Sequence, residues 1–174
     1  PESLVAEPSS TSAVVSWTGE ADSYNVRYRT VGTDVTYFFD DFENGIDNWT
    51  VIRSGGGTTA TDWHQFDPHN FSSGGFDAYS GTYVVIGRSW ASSAYNVDNW
   101  LITPTVTLDG ILKFWVKDDG SYHEHYDIYV STGGNATSDF TLLYSPGNAS
   151  STWTEVSVDL SAYHGATGYI ALRL

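Results

Sequence analysis

Oxygen-bearing acids, rather than sulfur, carry whatever metal chemistry this chain has. Asp40, Asp41 and Glu43 fall close together, and the two-residue period of a strand sends Asp41 and Glu43 to the same side. Calcium takes roughly six to eight oxygen ligands, so carboxylates on a strand edge joined by loop carbonyls suit it. Asp98, just before Asn99-Trp100-Leu101, would join from across the sheet. Asp41, Glu43 and Asp98 are therefore the candidate calcium ligands. The other reading of the same acids is a solvated turn whose carboxylates cap backbone amides. His123, Glu124, His125 and Asp127 form a compact imidazole–carboxylate cluster. Two histidines at i and i+2 would share one strand face and hold zinc or nickel, but a third and fourth ligand are missing and the stretch before His125 reads as a turn.

Catalytic chemistry finds little support. Serines and histidines are plentiful, yet no Gly-x-Ser-x-Gly elbow and no His-Glu-x-x-His helix motif occurs. There is no cysteine, which removes thiol catalysis, thiolate metal sites and disulfides together. The expectation is a protein that is not an enzyme.

Binding residues are easier to find. Trp63, His64, Phe66, His69, Phe71, Phe76 and Tyr79 crowd residues 62–80, and Arg88, Trp90 and Tyr95 lie in the next loop. Rings of this kind stack on sugar faces and anchor protein interfaces. Trp63, Arg88, Trp90 and Tyr95 are the candidate ligand-binding residues. The competing reading is that the rings pack a long loop onto the body of the domain, since so many left outside would form an exposed apolar patch. Trp115 and Tyr129 point away from their strands' aliphatic side, either to line a concave sheet face or to lie under the N-terminal strands.

The charge balance narrows the partners. Seven basic against 21 acidic residues give a net charge of −14. A nucleic-acid binder needs a basic face to neutralise phosphates, and this chain cannot supply one. An anionic membrane surface would repel it, and no run of residues is long and apolar enough for a membrane span. Such a surface attracts divalent cations, although an acidic surface is more often simply a soluble one. Pro1 and Leu174 both read as cut edges of a longer, multidomain protein.

The elements that must position these groups are strands. Period two recurs throughout, and no stretch sustains a helical period. Ala13, Val15 and Trp17 alternate with polar neighbours, as do Tyr24, Val26 and Tyr28, and the short turn between them predicts that these two strands pair. Leu112, Phe114 and Val116 alternate with Lys113, Trp115 and Lys117; Tyr126, Ile128 and Val130 with Asp127, Tyr129 and Ser131; Val156 and Val158 with Glu155, Ser157 and Asp159. One apolar and one wetter face per strand is the pattern of an antiparallel sandwich. Glycine-rich stretches such as 54–57 and 72–75 supply the turns. A boundary near residues 30–36 divides an N-terminal segment, 1–36, from a domain spanning 37–174 with roughly ten strands, long enough to bury its own core.

Residues 1–36 resemble the start of a fibronectin type III domain, through Pro1, Ser12-Ala13-Val14-Val15-Ser16-Trp17 and Tyr24-Asn25-Val26-Arg27-Tyr28-Arg29. Only the first half of that fold is represented. The rest resembles the cleaved adhesin family, the hemagglutinin/adhesin modules of gingipain-type cysteine proteases. The matching stretches are Asp40-Asp41-Phe42-Glu43-Asn44-Gly45 to Trp49-Thr50, Asp98-Asn99-Trp100-Leu101-Ile102-Thr103-Pro104, Leu112–Lys117, His125–Thr132 and Trp153–Tyr163, in the family's order. The resemblance implies an all-β, jelly-roll (galactose-binding-like) β-sandwich, loop-stabilising calcium, and adhesion to a host protein, glycan or red cell. It places the protein outside the cell or on its surface. Where the family carries an Asp-Gly-Asp-Gly-rich loop, this chain reads Arg53-Ser54-Gly55-Gly56-Gly57-Thr58-Thr59, so no calcium is expected there. The family also continues past the equivalent of Leu174 into a strand with an Asp-Asp pair. Two other functions stay open: a carbohydrate-binding accessory domain of a glycan-degrading enzyme, and a structural spacer.

Overall fold

The computed structural model describes the backbone of residues 3–8 and 13–18, and residues 35–70, 76–121 and 123–174 in full. The chain divides into two compact units, Pro1–Val35 and Thr36–Leu174. In the first, β1 (Ser3–Pro8) pairs antiparallel with β2 (Ala13–Thr18), Leu4 opposite Trp17. The expected strand Tyr24–Arg29, and hence its pairing with β2, lies outside the described residues.

The second unit contains ten strands and no α-helix among the described residues: β3 (Thr50–Arg53), β4 (His64–Phe66), β5 (Val84–Ile86), β6 (Asn99–Ile102), β7 (Val106–Leu108), β8 (Ile111–Val116), β9 (His125–Ser131), β10 (Thr141–Asn148), β11 (Thr154–Asp159) and β12 (Ala166–Arg173). The main sheet runs β10-β9-β12-β6-β3, with β7 also on β12. Every pairing is antiparallel. The last strand is central. One edge of β12 pairs with β9, Tyr169 opposite Ser131 through Arg173 opposite Asp127; the other pairs first with β7 and then with β6. The switch falls at Thr103-Pro104. There Thr103 N donates to Ile170 O at 2.9 Å and Thr103 Oγ1 accepts from Ile170 N at 3.0 Å. One threonine thus closes the ladder beside a proline that has no N–H to offer.

A second layer, β8 paired with β11, covers one face of this sheet. Val156, Val158 and Leu160 meet Val106, Leu108, Tyr126, Ile128, Val130 and Ile170, with Leu112, Phe114 and Val116 closing the interface. The alternation of β8, β9 and β11 points where the sequence predicts. Inward Phe114 meets Tyr126 edge-on, ring centroids 6.2 Å apart. Gly168 is required by this packing, because a Cβ there would run into Ser131 O and the Leu108 side chain. The other face of the main sheet carries a smaller cluster of Trp100, Ile102 and Ala171, flanked by Ile52, Tyr129, Phe140 and Tyr169.

That second face explains Tyr129. Its ring lies 4.8 Å from Trp100, and the Arg173 guanidinium sits 5.1 Å from the Trp100 centroid and 5.7 Å from that of Tyr129. Arg173 Nη1 donates to Tyr129 Oη at 2.9 Å, and Nε to Asp98 Oδ1 at 2.7 Å. Asp98, together with the Tyr129 hydroxyl, holds the Arg173 proton more tightly than usual.

Candidate functional site

An exposed aromatic anchor stands on the loop after β5. Trp90 pairs with Ala94 in an isolated bridge, Ala91 N donates to Ser93 O at 3.1 Å, and Tyr95 N donates to Ser89 O at 2.7 Å. Small residues at the tip permit so tight a reversal. Glu124, reaching from the approach to β9, fixes the loop's base: its Oε1 accepts from both Ser89 N and Ser89 Oγ at 2.7 Å. A carboxylate accepting two donors makes a stiff mount. Trp90 rises from it 58% exposed.

The other three candidate ligand-binding residues build that mount. Tyr95 is half-buried, and the Ser93 and then Ser92 hydroxyls draw its pKa down. Arg88 Nε is committed to Ala60 O at 2.7 Å, so its guanidinium serves first to tie the loop to residues 58–62. Trp63 lies deeper. It is 9% exposed, its indole N–H donates to Asn99 O at 3.1 Å, and Gly87 lies against its ring, where a Cβ would sit 2.9 Å from Cδ2. Burial with its one donor satisfied makes Trp63 core. The structure therefore brings Arg88, Trp90 and Tyr95 into one loop and places Trp63 beneath it.

The acidic candidates are each held by partners of their own. Asp40–Glu43 is a loop, not a strand, so alternation does not apply. Asp40 Oδ1 accepts from Phe42 N at 2.7 Å and Oδ2 from Trp49 Nε1 at 2.8 Å. Phe42 adopts φ 62°, a left-handed conformation that this capping and the packing of its ring on Trp49 stabilise. Asp41 Oδ1 accepts from Glu43 N at 3.2 Å. Glu43 Oε1 reaches across to accept from Thr82 N at 2.8 Å and Tyr83 N at 2.9 Å. Asp98 is spent on Arg173 and on Trp100 Nε1, at 2.8 Å. Among the described residues no three His, Cys, Asp or Glu side chains gather where they could hold a metal, so Asp41, Glu43 and Asp98 are not one site. What the loop does present is an open cleft of about 370 Å³ lined by Phe39, Asp40, Asp41, Asn44, Asp47 and Asn48, among others.

The two histidines part company as well. His123 precedes β9 and pairs with Asp118, while His125 Nε2 lies 3.1 Å from Asp127 Oδ1. Each histidine is engaged by its own neighbouring aspartate.

One cluster joins residues that the sequence reading named apart. Tyr79 stacks on Trp115, centroids 4.0 Å apart and planes 14° from parallel, and Trp153 closes on Tyr79 edge-on at 5.9 Å. Lys117 joins Asp77 and stands 6.0 Å from the Trp153 ring. The signal was available: the sequence has only two lysines, and they flank Trp115 two residues to either side.

With the geometry in place, comparison with known proteins is decisive. The family profile of the Cleaved Adhesin Domain matches residues 35–174. This chain belongs to the cleaved adhesin family. Gingipain R1 of Porphyromonas gingivalis is 34% identical over 161 residues, covering 79% of this chain but 9% of that protein. Hemagglutinin A of the same bacterium is 30% identical over 155 residues, 72% of this chain and 7% of that protein. The chain thus spans less than a tenth of these large multidomain relatives. Among solved structures, the K2 cleaved adhesin domain of Lys-gingipain superposes with a TM-score of 0.67 at 26% identity, covering 79% of this chain and 89% of that domain. The K1 domain, also from P. gingivalis, gives 0.64 at 29%, covering 80% and 88%. The solved relatives are adhesin domains of a protease, so the cleaved adhesin unit is an adhesin-type module and not the catalytic part of its parent.

Proposed function

We propose that this cleaved adhesin domain is a non-catalytic, surface-displayed or secreted recognition module that binds a host protein or glycan through the 87–96 loop. The observation that carries this reading is Trp90, an exposed aromatic ring on a mount fixed by Glu124 and by the Trp90–Ala94 bridge. A rigid aromatic costs little ordering entropy on binding, which is why such residues dominate interfaces. The galactose-binding-like jelly roll, and a partial fibronectin type III-like preface over residues 1–36, belong to the same proposal. So does calcium. Asp41, Asn44, Asp47 and Asn48 offer hard oxygen donors around the 40–48 cleft, the class of ligand that calcium takes.

Adhesion of the 174-residue chain to erythrocytes and to immobilised fibrinogen tests the reading, with Trp90→Ala as the variant. Binding that falls about tenfold or more in Trp90→Ala, with the thermal melt unchanged, supports it. Binding that survives the substitution removes the loop from the interface. No binding to either surface, with only a chelator-dependent shift in melting temperature, leaves a spacer domain.

A further inference from the structure

We propose that the outward face of β8 and β11, centred on the Tyr79–Trp115 stack, binds a neutral oligosaccharide, one pyranose ring lying on the exposed part of Tyr79. This rests on the reading of the chain as a binding module, but the surface differs from the Trp90 loop and carries the glycan part of that reading.

The face is open along its length. Ile111, Lys113 and Trp115 from β8, and Glu155, Ser157 and Asp159 from β11, are all exposed, and the register sets Glu155 opposite Trp115 and Ser157 opposite Lys113. At its centre Tyr79 lies parallel on Trp115 and is held at its side by Trp153. Tyr79 remains 49% exposed and Trp115 39%. Stacked on Trp115, Tyr79 still leaves about half of its surface open to a ligand. A ring already fixed by two neighbours loses little freedom when a ligand lands on it.

Charge selects the ligand. Lys113 Nζ lies 3.6 Å from Glu155 Oε1, and Lys117 pairs with Asp77. Each of the two lysines is thus matched by one acid, which leaves this aromatic centre balanced within a chain of net charge −14. An anionic glycan meets the repulsion of the whole chain and finds no uncompensated cation here. A neutral pyranose fits both features. Its C–H face packs on an aromatic plane, and its hydroxyls exchange hydrogen bonds with the surrounding ammonium, carboxylate and Ser157 hydroxyl groups. The aromatic plane gives affinity and the polar rim sets orientation.

The test uses the full chain on an array of immobilised galactose-, mannose- and N-acetylglucosamine-terminated oligosaccharides, with sialylated and sulfated glycans alongside. Retention of neutral glycans is expected, weakened roughly tenfold or more by Tyr79→Ala. Leu142→Ala, on exposed β10, serves as a surface control and should leave retention unchanged. Trp115→Leu should behave like Tyr79→Ala. Because it alters a strand residue, it counts only if its melt stays cooperative, whereas Tyr79 stands on a loop and keeps the test decisive. Retention of none of the neutral glycans overturns the proposal, as does preference for sialylated or sulfated ones. Glycan binding that is lost in Trp90→Ala but kept in Tyr79→Ala moves the sugar site to the other loop. Protein adhesion sensitive to Trp90→Ala, in a chain that binds no glycan, overturns this site while leaving the adhesin reading intact.

Discussion

Glu43 is a structural tie beside the proposed calcium cleft, and substitutions tell the tie from the cation. Its Oε1 ties the start of the domain to residues 82 and 83 through two backbone N–H donors, at 2.8 and 2.9 Å. A hydrogen bond to a charged acceptor is worth about 1.5–3 kcal/mol when well shielded. Glu43 is only half-buried, so water recovers part of each bond, and Glu43→Ala should cost about 2 kcal/mol in all. For a chain of this size that lowers the melting temperature by about 4–8 °C. Glu43→Gln keeps an amide oxygen able to accept from both N–H groups but gives up the charge, roughly halving the strength of each bond, so about 1 kcal/mol is expected. Differential scanning calorimetry with and without EDTA then reads calcium separately. If calcium is held at about 100 times its dissociation constant, chelation removes about 2.7 kcal/mol from the wild type. Asp41→Asn with Asp47→Asn, which removes two carboxylates lining the cleft, should show a much smaller EDTA shift, whereas Glu43→Gln should keep the wild-type shift. A Glu43→Ala melt within about 1 °C of wild type refutes the hydrogen-bond accounting. A wild-type melt indifferent to EDTA refutes calcium, whatever Glu43→Ala does.

Three further outcomes are expected. Arg173→Met should destabilise by about 2 kcal/mol in chemical denaturation, since it removes the bonds to Asp98 and Tyr129 and the contact with two rings; Arg173→Lys should rescue little, because an ammonium cannot span both partners. Gly168→Ala, which drives a Cβ into the β9 backbone, should cost at least about 1–3 kcal/mol by thermal melt. Stability should also follow pH on two limbs. The Asp118 carboxylate raises the pKa of His123, and Asp109 that of His164, so their contribution is complete below about pH 6.5 and fades as pH rises through the folded-state values. On the acid side, Lys117 lowers the pKa of Asp77, His164 that of Asp109 and the Ser161 amide that of Asp159; their contribution holds above the ordinary aspartate value of 3.8 and is lost as pH falls through the lowered folded values. A double variant, His123→Asn with His164→Asn, should flatten the upper limb of the melt profile and leave the lower limb of Asp77 and Asp159 in place.

The strands were legible because a half-buried strand writes its two faces directly into sequence. Tyr126, Ile128 and Val130, or Val156 and Val158, could point only one way if the domain was to have a core. The central place of β12 was not legible, since strand order depends on long-range pairings that alternation does not encode. The placement of the site residues was not legible for a related reason. Trp63 and Trp90 look alike as residues in aromatic loops, and only the bond from Trp63 to Asn99 O and the approach of Gly87 send one inward. Asp40–Glu43 was read as a strand because it leads into one. The departure lies in Phe42, whose positive φ follows from Asp40 capping its amide, and side-chain capping competes with extended pairing without any change in hydropathy.

The same competition changes what the acidity of this domain means. Asp40, Asp41, Asp67, Asp118, Asp119 and Asp159 each accept, through one carboxylate oxygen, from the backbone N–H two residues on. A cysteine-free sandwich with long loops has many backbone donors that no ladder satisfies, and an aspartate at a turn satisfies one at little cost in side-chain entropy. Much of the −14 charge is accordingly architectural, fixing loops where disulfides would otherwise do so. Calcium and capping then compete for the same carboxylates without excluding each other, because a capping aspartate such as Asp41 still has a second oxygen to offer. Asp40 does not, with Phe42 N on one oxygen and Trp49 Nε1 on the other. If a cation binds the 40–48 cleft, Asp41 and Asp47 are the carboxylates that hold it. Asp40 is the one whose loss should unfold the loop with or without calcium.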